Sequence, residues 1–335
     1  MINVNTKKQE ERRVFDLVYA GRSFDEVREN ENPDFLVRLF PGTPYFGVEV
    51  TEYYLTETNA RIDNISGYTN QLLNGEDLKH KDDRKILTVS EIDIITNNDT
   101  VHAKDVPAII QEMPPPSKCA YDVAQRISAK ATRLKDSTAE CSHTNLIIND
   151  KTGLLRTMNK ENFYGIYFIP ELIEAITTSP FREIFLVTFL QDEHIYAPLK
   201  MLHLLAELYF FNGVIVNGGY EKKIPPEIDD IELFAAYFNS TVSCSVLIHH
   251  DTTGMEVIFG DFGILIGNDN SVIVRMHSDY PIHSSAKPPS LEWQAILGDN
   301  FINSMKDYRK SNIFSTGAVF PVKNGCATQQ DDTFR

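Results

Sequence analysis

Apolar positions along the chain follow two periods, and their alternation predicts an α/β protein. Residues 8–28 carry Val14, Phe15, Leu17, Val18, Phe24 and Val27 among charges, a helical spacing. Gly21-Arg22-Ser23 divides that run, with Ser23 a candidate N-cap for its second piece. Residues 35–40 and 45–54 favour strands and flank Pro41-Gly42-Thr43-Pro44, so they predict a β-hairpin with a four-residue loop. Ala120, Ala124, Ile127, Ala131 and Leu134 step by 4, 3, 4 and 3, one face of a helix over 119–137. Residues 145–148 read as a buried strand, 184–190 as another, and 198–211 as a buried helix. Residues 242–249, 255–259, 264–267 and 272–276 look like successive β-segments. The expected fold is a mixed central sheet with helices on its faces.

Residues 55–117 break this rhythm. Polar clusters at 59–64 and 74–83 alternate with strand-like 86–95, and Pro114-Pro115-Pro116 closes the stretch. It reads as an insertion with strands of its own, inside a core over 1–150. Residues 151–322 then form a C-terminal α+β region, and 323–335 a polar tail.

Composition narrows the class. Hydrophobic residues at 42% and charged residues at 24% describe a globular chain rather than a disordered one. The most apolar stretch, 199–211, contains Lys200, His203 and Glu207 and falls short of the ~20 residues a bilayer needs. No apolar run follows the amino-terminal lysines, so no secretory leader is expected. The four cysteines lie far apart without metal-ligand spacing, which argues against structural zinc and for a reducing compartment, by default the cytoplasm. A net charge of −15 argues against nonspecific coating of nucleic acid but leaves room for a local basic groove.

Candidate chemistry sits on the predicted hairpin. If Phe40 faces Tyr45, then Asp34 faces Thr51 and Leu36 faces Glu49. Strand alternation puts Asp34, Glu49 and Thr51 on one face, with Asp34 and Glu49 as diagonal neighbours about 7 Å apart. Two carboxylates in an apolar sheet need compensation, because unpaired buried charge is costly. A hard divalent cation such as Mg²⁺ supplies it, and phosphodiester cleavage uses such ions to generate the nucleophile and stabilise charge on oxygen.

The motif Asn32-Pro33-Asp34-Phe35 followed by Phe46-Gly47-Val48-Glu49-Val50-Thr51-Glu52 resembles the PD-(D/E)XK, or restriction-endonuclease-like, nuclease superfamily. The resemblance covers roughly residues 8–54 and 119–150. It implies Asp34 and Glu49 as the motif carboxylates and the backbone carbonyl of Val50 as a further metal ligand. It also implies Mg²⁺ or Mn²⁺ as cofactor and nucleic acid as partner, DNA more than RNA, with a role in prokaryotic restriction or phage defence. Thr51 stands where the motif lysine is expected. Some members carry that lysine on the following helix, which points to Lys130, with Lys135 second.

Arg126, Lys130 and Arg133 follow i, i+4, i+7 along the predicted helix, each one residue before a stripe position. Residues 118–135 hold five basic residues and one acidic, a local surplus suited to phosphate. Arg126, Lys130, Arg133 and Lys135 are therefore the candidate nucleic-acid contacts. Glu31 could touch a second ion or be a loop acid; Thr51 could bond a ligand water or merely favour the strand; Glu52 points to the other face. A second reading keeps the fold as an inactive binding or assembly module, acting through a protein partner or as a homo-oligomer. The missing Glu-X-Lys lysine would then mark lost catalysis. Asp261-Phe262-Gly263 lacks every other kinase motif and reads as strand and turn, and His249-His250-Asp251 reads as a strand end.

Overall fold

Helix α1 (Val4–Val18) ends on an apolar stripe of Val14, Phe15 and Val18, all buried. That stripe lies across the middle of a sheet: Phe15 is 4.8 Å from Phe35 between ring centroids, and Tyr19, just past the helix, is 6.0 Å from Phe185. The computed structural model describes residues 4–74, 83, 87–95, 101–134, 141–191, 193–242, 245–269, 271–276, 282 and 284–313. Lys135 and the expected tail over 323–335 lie outside them.

The central sheet contains β1 (Glu26–Glu29), β2 (Phe35–Arg38), β3 (Phe46–Tyr53), β6 (Thr144–Asp150), β7 (Ile184–Leu190) and β8 (Glu193–Pro198), in the order β1-β2-β3-β6-β7-β8. The three inner strands β3, β6 and β7 run parallel and the outer pairs antiparallel. Every residue of β6 is buried, as befits a strand covered on both faces. Helix α4 (Pro116–Leu134) covers the face opposite α1 with Cys119, Ala120, Val123, Ala124 and Ile127. The protein is thus mixed α/β, a central mixed sheet flanked by helices.

Between β3 and α4, residues form α2 (Glu57–Asn64), α3 (Tyr68–Leu73) and a separate hairpin of β4 (Thr88–Ile95) with β5 (Val101–Ile110). After β6 come α5 (Phe163–Tyr167) and α6 (Pro170–Thr178), then, beyond β8, α7 (Leu199–Asn217) and α8 (Asp230–Thr241). A second, antiparallel sheet has the order β12-β11-β10-β9, from β9 (Val246–His250), β10 (Gly254–Phe259), β11 (Phe262–Gly267) and β12 (Val272–Met276). Helices α9 (Trp293–Leu297) and α10 (Phe301–Asn312) close the described chain. Helix α7 is long and apolar enough to cross a membrane, but 67% of it is buried here, with Phe211 against Phe234 and Phe301.

Three expectations change. Residues 26–29 are an edge strand, not a second helical piece capped by Ser23, because pairing with β2 outweighs a weak amphipathic pattern. The hairpin pairs Phe35 with Val48 and Val37 with Phe46, two residues out of the expected register, so seven residues connect the strands instead of four. Phe40 stays 46% exposed, while Tyr45 leaves the ladder for Arg28, Arg38 and Glu26. The division expected at residue 150 falls inside the sheet, which β7 and β8 complete.

Buried polar contacts join the two sheets. Asn145 donates to Asp261 Oδ2 at 3.1 Å and accepts from the Glu183 N–H at 3.0 Å. Glu183 is fully buried, and its Oε1 accepts the N–H groups of Ile184 and Lys200, both at 2.9 Å. Burial pushes its carboxyl up to about 8. A folded-state pKa above the unfolded value means the native state binds the extra proton. Stability from Glu183 is therefore present below the unfolded carboxylate range and is lost as pH rises towards 8. Denaturant unfolding should show a stability decline across this window, at most ~1.4 kcal/mol per pH unit, that Glu183→Gln flattens.

Candidate active site

The unequal lengths of β2 and β3 create the site. They pair only over Phe35–Val37 against Phe46–Val48, while β3 continues to Tyr53 along β6. Beyond Val48 the β2 side of β3 is open, and the Val50 N–H points into that opening. Asp34 Oδ2 accepts it at 2.7 Å. A strand residue's N–H and C=O lie on the same side, so the Val50 carbonyl faces the same edge.

Gly47 explains why Asp34 is held there. A Cβ at residue 47 would lie 2.6 Å from Pro33 Cγ and 2.9 Å from Thr144 Oγ1. The Pro33 ring therefore sits directly on the backbone of β3, one residue before Asp34. The two-residue register shift preserves alternation, so Glu49 and Thr51 project from the α4 face, and Asp34 lies opposite Glu49 in the extended register.

On that face Glu49 Oε1 accepts from Lys130 Nζ of α4 at 2.5 Å. Both side chains are mostly shielded, at 14% and 18% exposure. Glu49 Oε2 is buried and has no hydrogen-bond partner among the described residues. The Asp34 carboxyl is pushed up to about 7, first by burial and then by the Glu49 charge, with Glu11 adding to the rise. The Val50 N–H and Lys130 pull the other way. An Asp34 carboxyl raised by the Glu49 charge, a Glu49 oxygen without a partner among the described residues and a carbonyl on the same edge are a donor set a hard divalent cation fits. Among the described residues no group of three or more His, Cys, Asp or Glu converges on one metal position. Any cation would rest on the two acids, the carbonyl and water.

The remaining candidates separate. Thr51 is half-buried beside Glu49, and Glu31 is exposed in the turn before β2. Arg126 does not face outward: it donates to the Glu52 carbonyl, and its guanidinium carbon lies 5.7 Å from the Tyr53 ring centroid. Arg133 is exposed at the end of α4. Glu52 lies on the α1 face as expected from alternation, bonded by Tyr54 at 3.2 Å. Asp261 is buried in the turn before β11, and His249 and His250 end β9.

Sequence reasoning missed Glu11 and Lys7. Glu11 of α1 is only 8% exposed, pairs with Lys7 at 3.1 Å and acts on Asp34. Its signal was available: Glu11 continues the stripe of Val14, Phe15 and Val18, an acid on an apolar face. Lys7 in turn is raised by Glu11 first, and by Asp34 and Glu52. A cleft of about 330 Å³, lined by Arg182, Lys200, Leu247 and Ile258, opens elsewhere and contains none of these residues.

Replacing Gly47 by Ala should destabilise the fold by ~1–3 kcal/mol, the usual cost of overpacking, read as a lowered denaturation midpoint. Pro33→Ala in the same background should recover part of that loss, since it removes the nearest clashing atom. Comparison with known protein families, curated proteins and solved structures gives no significant match for this chain.

Proposed function

We propose that this chain is a metal-dependent nuclease with a restriction-endonuclease-like core, hydrolysing phosphodiester bonds in nucleic acid, with DNA the first substrate to test. The observation that carries this reading is the shared position of Asp34, Glu49 and Lys130 at the open edge of β3. Asp34, Glu49 and the Val50 carbonyl would hold Mg²⁺ or Mn²⁺. The cation would supply Lewis-acid stabilisation of charge on a phosphoryl oxygen.

Each protein group has a separate task. The Asp34 carboxyl must lose its proton to bind a cation, so cation affinity rises with pH around 7. Lys130 pairs with Glu49, and its ammonium would serve a phosphate or its attacking water if Glu49 held a cation. A lysine placed by α4 rather than by β3 performs the task that Thr51 cannot, because a hydroxyl carries no charge. Prokaryotic restriction or phage defence is the setting that the motif resemblance suggests.

Plasmid incubated with Mg²⁺ or Mn²⁺ should be cleaved by the wild type. Asp34→Ala and Glu49→Gln should lose at least ~100-fold, and Lys130→Met a comparable factor, as expected for charge-stabilising groups. Equal activity in wild type and Asp34→Ala would remove this site. Absence of cleavage with either metal would leave the fold as a binding module. Calorimetric Mn²⁺ affinity should be stronger above pH ~7 than below it, and this dependence should vanish in Asp34→Asn.

A further inference from the structure

Strand β7 is buried at six of its seven positions, and Phe189 is the exception at 40% exposure. Its ring stacks on His194 of β8, with centroids 4.6 Å apart and planes at 14°. The Arg156 guanidinium lies 5.9 Å from the same ring centroid, and Arg156 is exposed. This aromatic surface is on the α1 face, since Phe185, two alternations back, packs on Tyr19. Arg13, Lys151 and Lys160 surround it. Arg13 and Lys151 share Glu10 at 2.7 and 2.6 Å, and Lys160 pairs with Glu193 at 2.5 Å. Lys151 also lies 3.9 Å from Asp63, so these cations are interleaved with Glu10, Asp63 and Glu193.

We infer that Phe189, His194 and Arg156 form a base-stacking platform for single-stranded nucleic acid, leading into the Asp34–Glu49 edge. The inference rests on the nuclease reading and adds to it the form of the substrate. An exposed ring with cations beside it matches a chain of flat bases on a phosphate backbone, and a duplex hides its base faces. The Arg156 guanidinium adds a cation beside the ring.

Electrostatic neighbours connect the platform to the site. His194 is influenced by Arg13, Glu10 and Lys151. Glu52 is influenced by Lys151, Glu10 and Asp63. Lys7 is influenced by Glu11, Asp34 and Glu52. Glu49 pairs with Leu146 and Leu146 with Ile184, so the Phe189 backbone lies two strands across and five residues along from Glu49, with its ring on the opposite face of the sheet. Strand geometry makes that roughly 20 Å. A strand stacked on Phe189 would pass Lys151 and Lys7 and meet the site at the sheet's open edge.

The test is fluorescence anisotropy of a labelled short single-stranded DNA with the full chain in EDTA, where no cleavage intervenes. Phe189→Ala should weaken binding roughly 5- to 100-fold, the range for losing one stacked base. Phe189→Trp should retain binding, and its emission should be quenched by the oligonucleotide, the protein's other tryptophan, Trp293, being 2% exposed. A blunt duplex of the same sequence should bind more weakly than the single strand. Phe189→Leu, which keeps the apolar bulk without the ring, should behave like Phe189→Ala. Wild-type affinity in Phe189→Leu, an unquenched Phe189→Trp or no binding by the wild type would overturn the platform. Plasmid cleavage by Asp34→Ala tests the catalytic reading separately.

Discussion

A single hydrogen bond, from the Val50 N–H to Asp34, organises the edge on which the candidate chemistry depends. A strand edge normally exposes unpaired donors and acceptors and invites another strand. Here β2 stops short and a carboxylate takes the place of the missing backbone acceptor. The substitution puts a carboxyl oxygen where a backbone carbonyl would be, beside the buried Val48 and Val50 of β3. Gly47 makes it possible, because only a residue without Cβ lets Pro33 press on β3 at that point. Pro33, Gly47, Asp34 and Val50 are therefore one packing unit, and the acid is held by backbone geometry rather than by a flexible stem.

The second carboxylate is balanced differently. Among the described residues Glu49 has a partner for one oxygen, Lys130, and none for the other. A buried ion pair is weak evidence of stability, since desolvation offsets much of its attraction. An ion pair with a buried unsatisfied oxygen is weaker still. The pair is therefore a poor structural clamp. The contrast with Arg126 supports this. One turn away on the same helix, Arg126 is committed to a backbone carbonyl and an aromatic ring, which is how a structural cation is used.

The second half of the chain is tied to this edge through the sheet itself. β7 and β8 extend the parallel core, and α1 spans β2 to β7 on one face. Asn145 and Glu183 then bind the turn before β11 to the start of β7 through buried hydrogen bonds. The antiparallel sheet and its helices thus brace the end of the central sheet opposite the carboxyl ends of β3, β6 and β7. Phe189 and its cations lie at the carboxyl ends of those strands, away from Asn145 and Glu183.

The amino-acid sequence alone determined the two acids, their common face and the lysine on the following helix. Alternation has period two, so even a register wrong by two residues leaves Asp34 and Glu49 on one side. The helical stripe of Ala120, Ala124 and Ile127 likewise fixes which residues of α4 flank the sheet. Tertiary structure decided what local pattern leaves degenerate. Residues 26–29 joined a sheet because β2 offered a partner, and Tyr45 left the ladder for Arg28 and Arg38. Arg126 and Lys130 are alike in the sequence, yet one turned inward and the other to Glu49, since only the packed sheet shows which acceptor lies within reach. The approach of Glu11 and Lys7 to Asp34 joins positions separated by the whole of β1 and its flanking turns. Such long-range neighbours depend on how the faces pack, which no local period encodes.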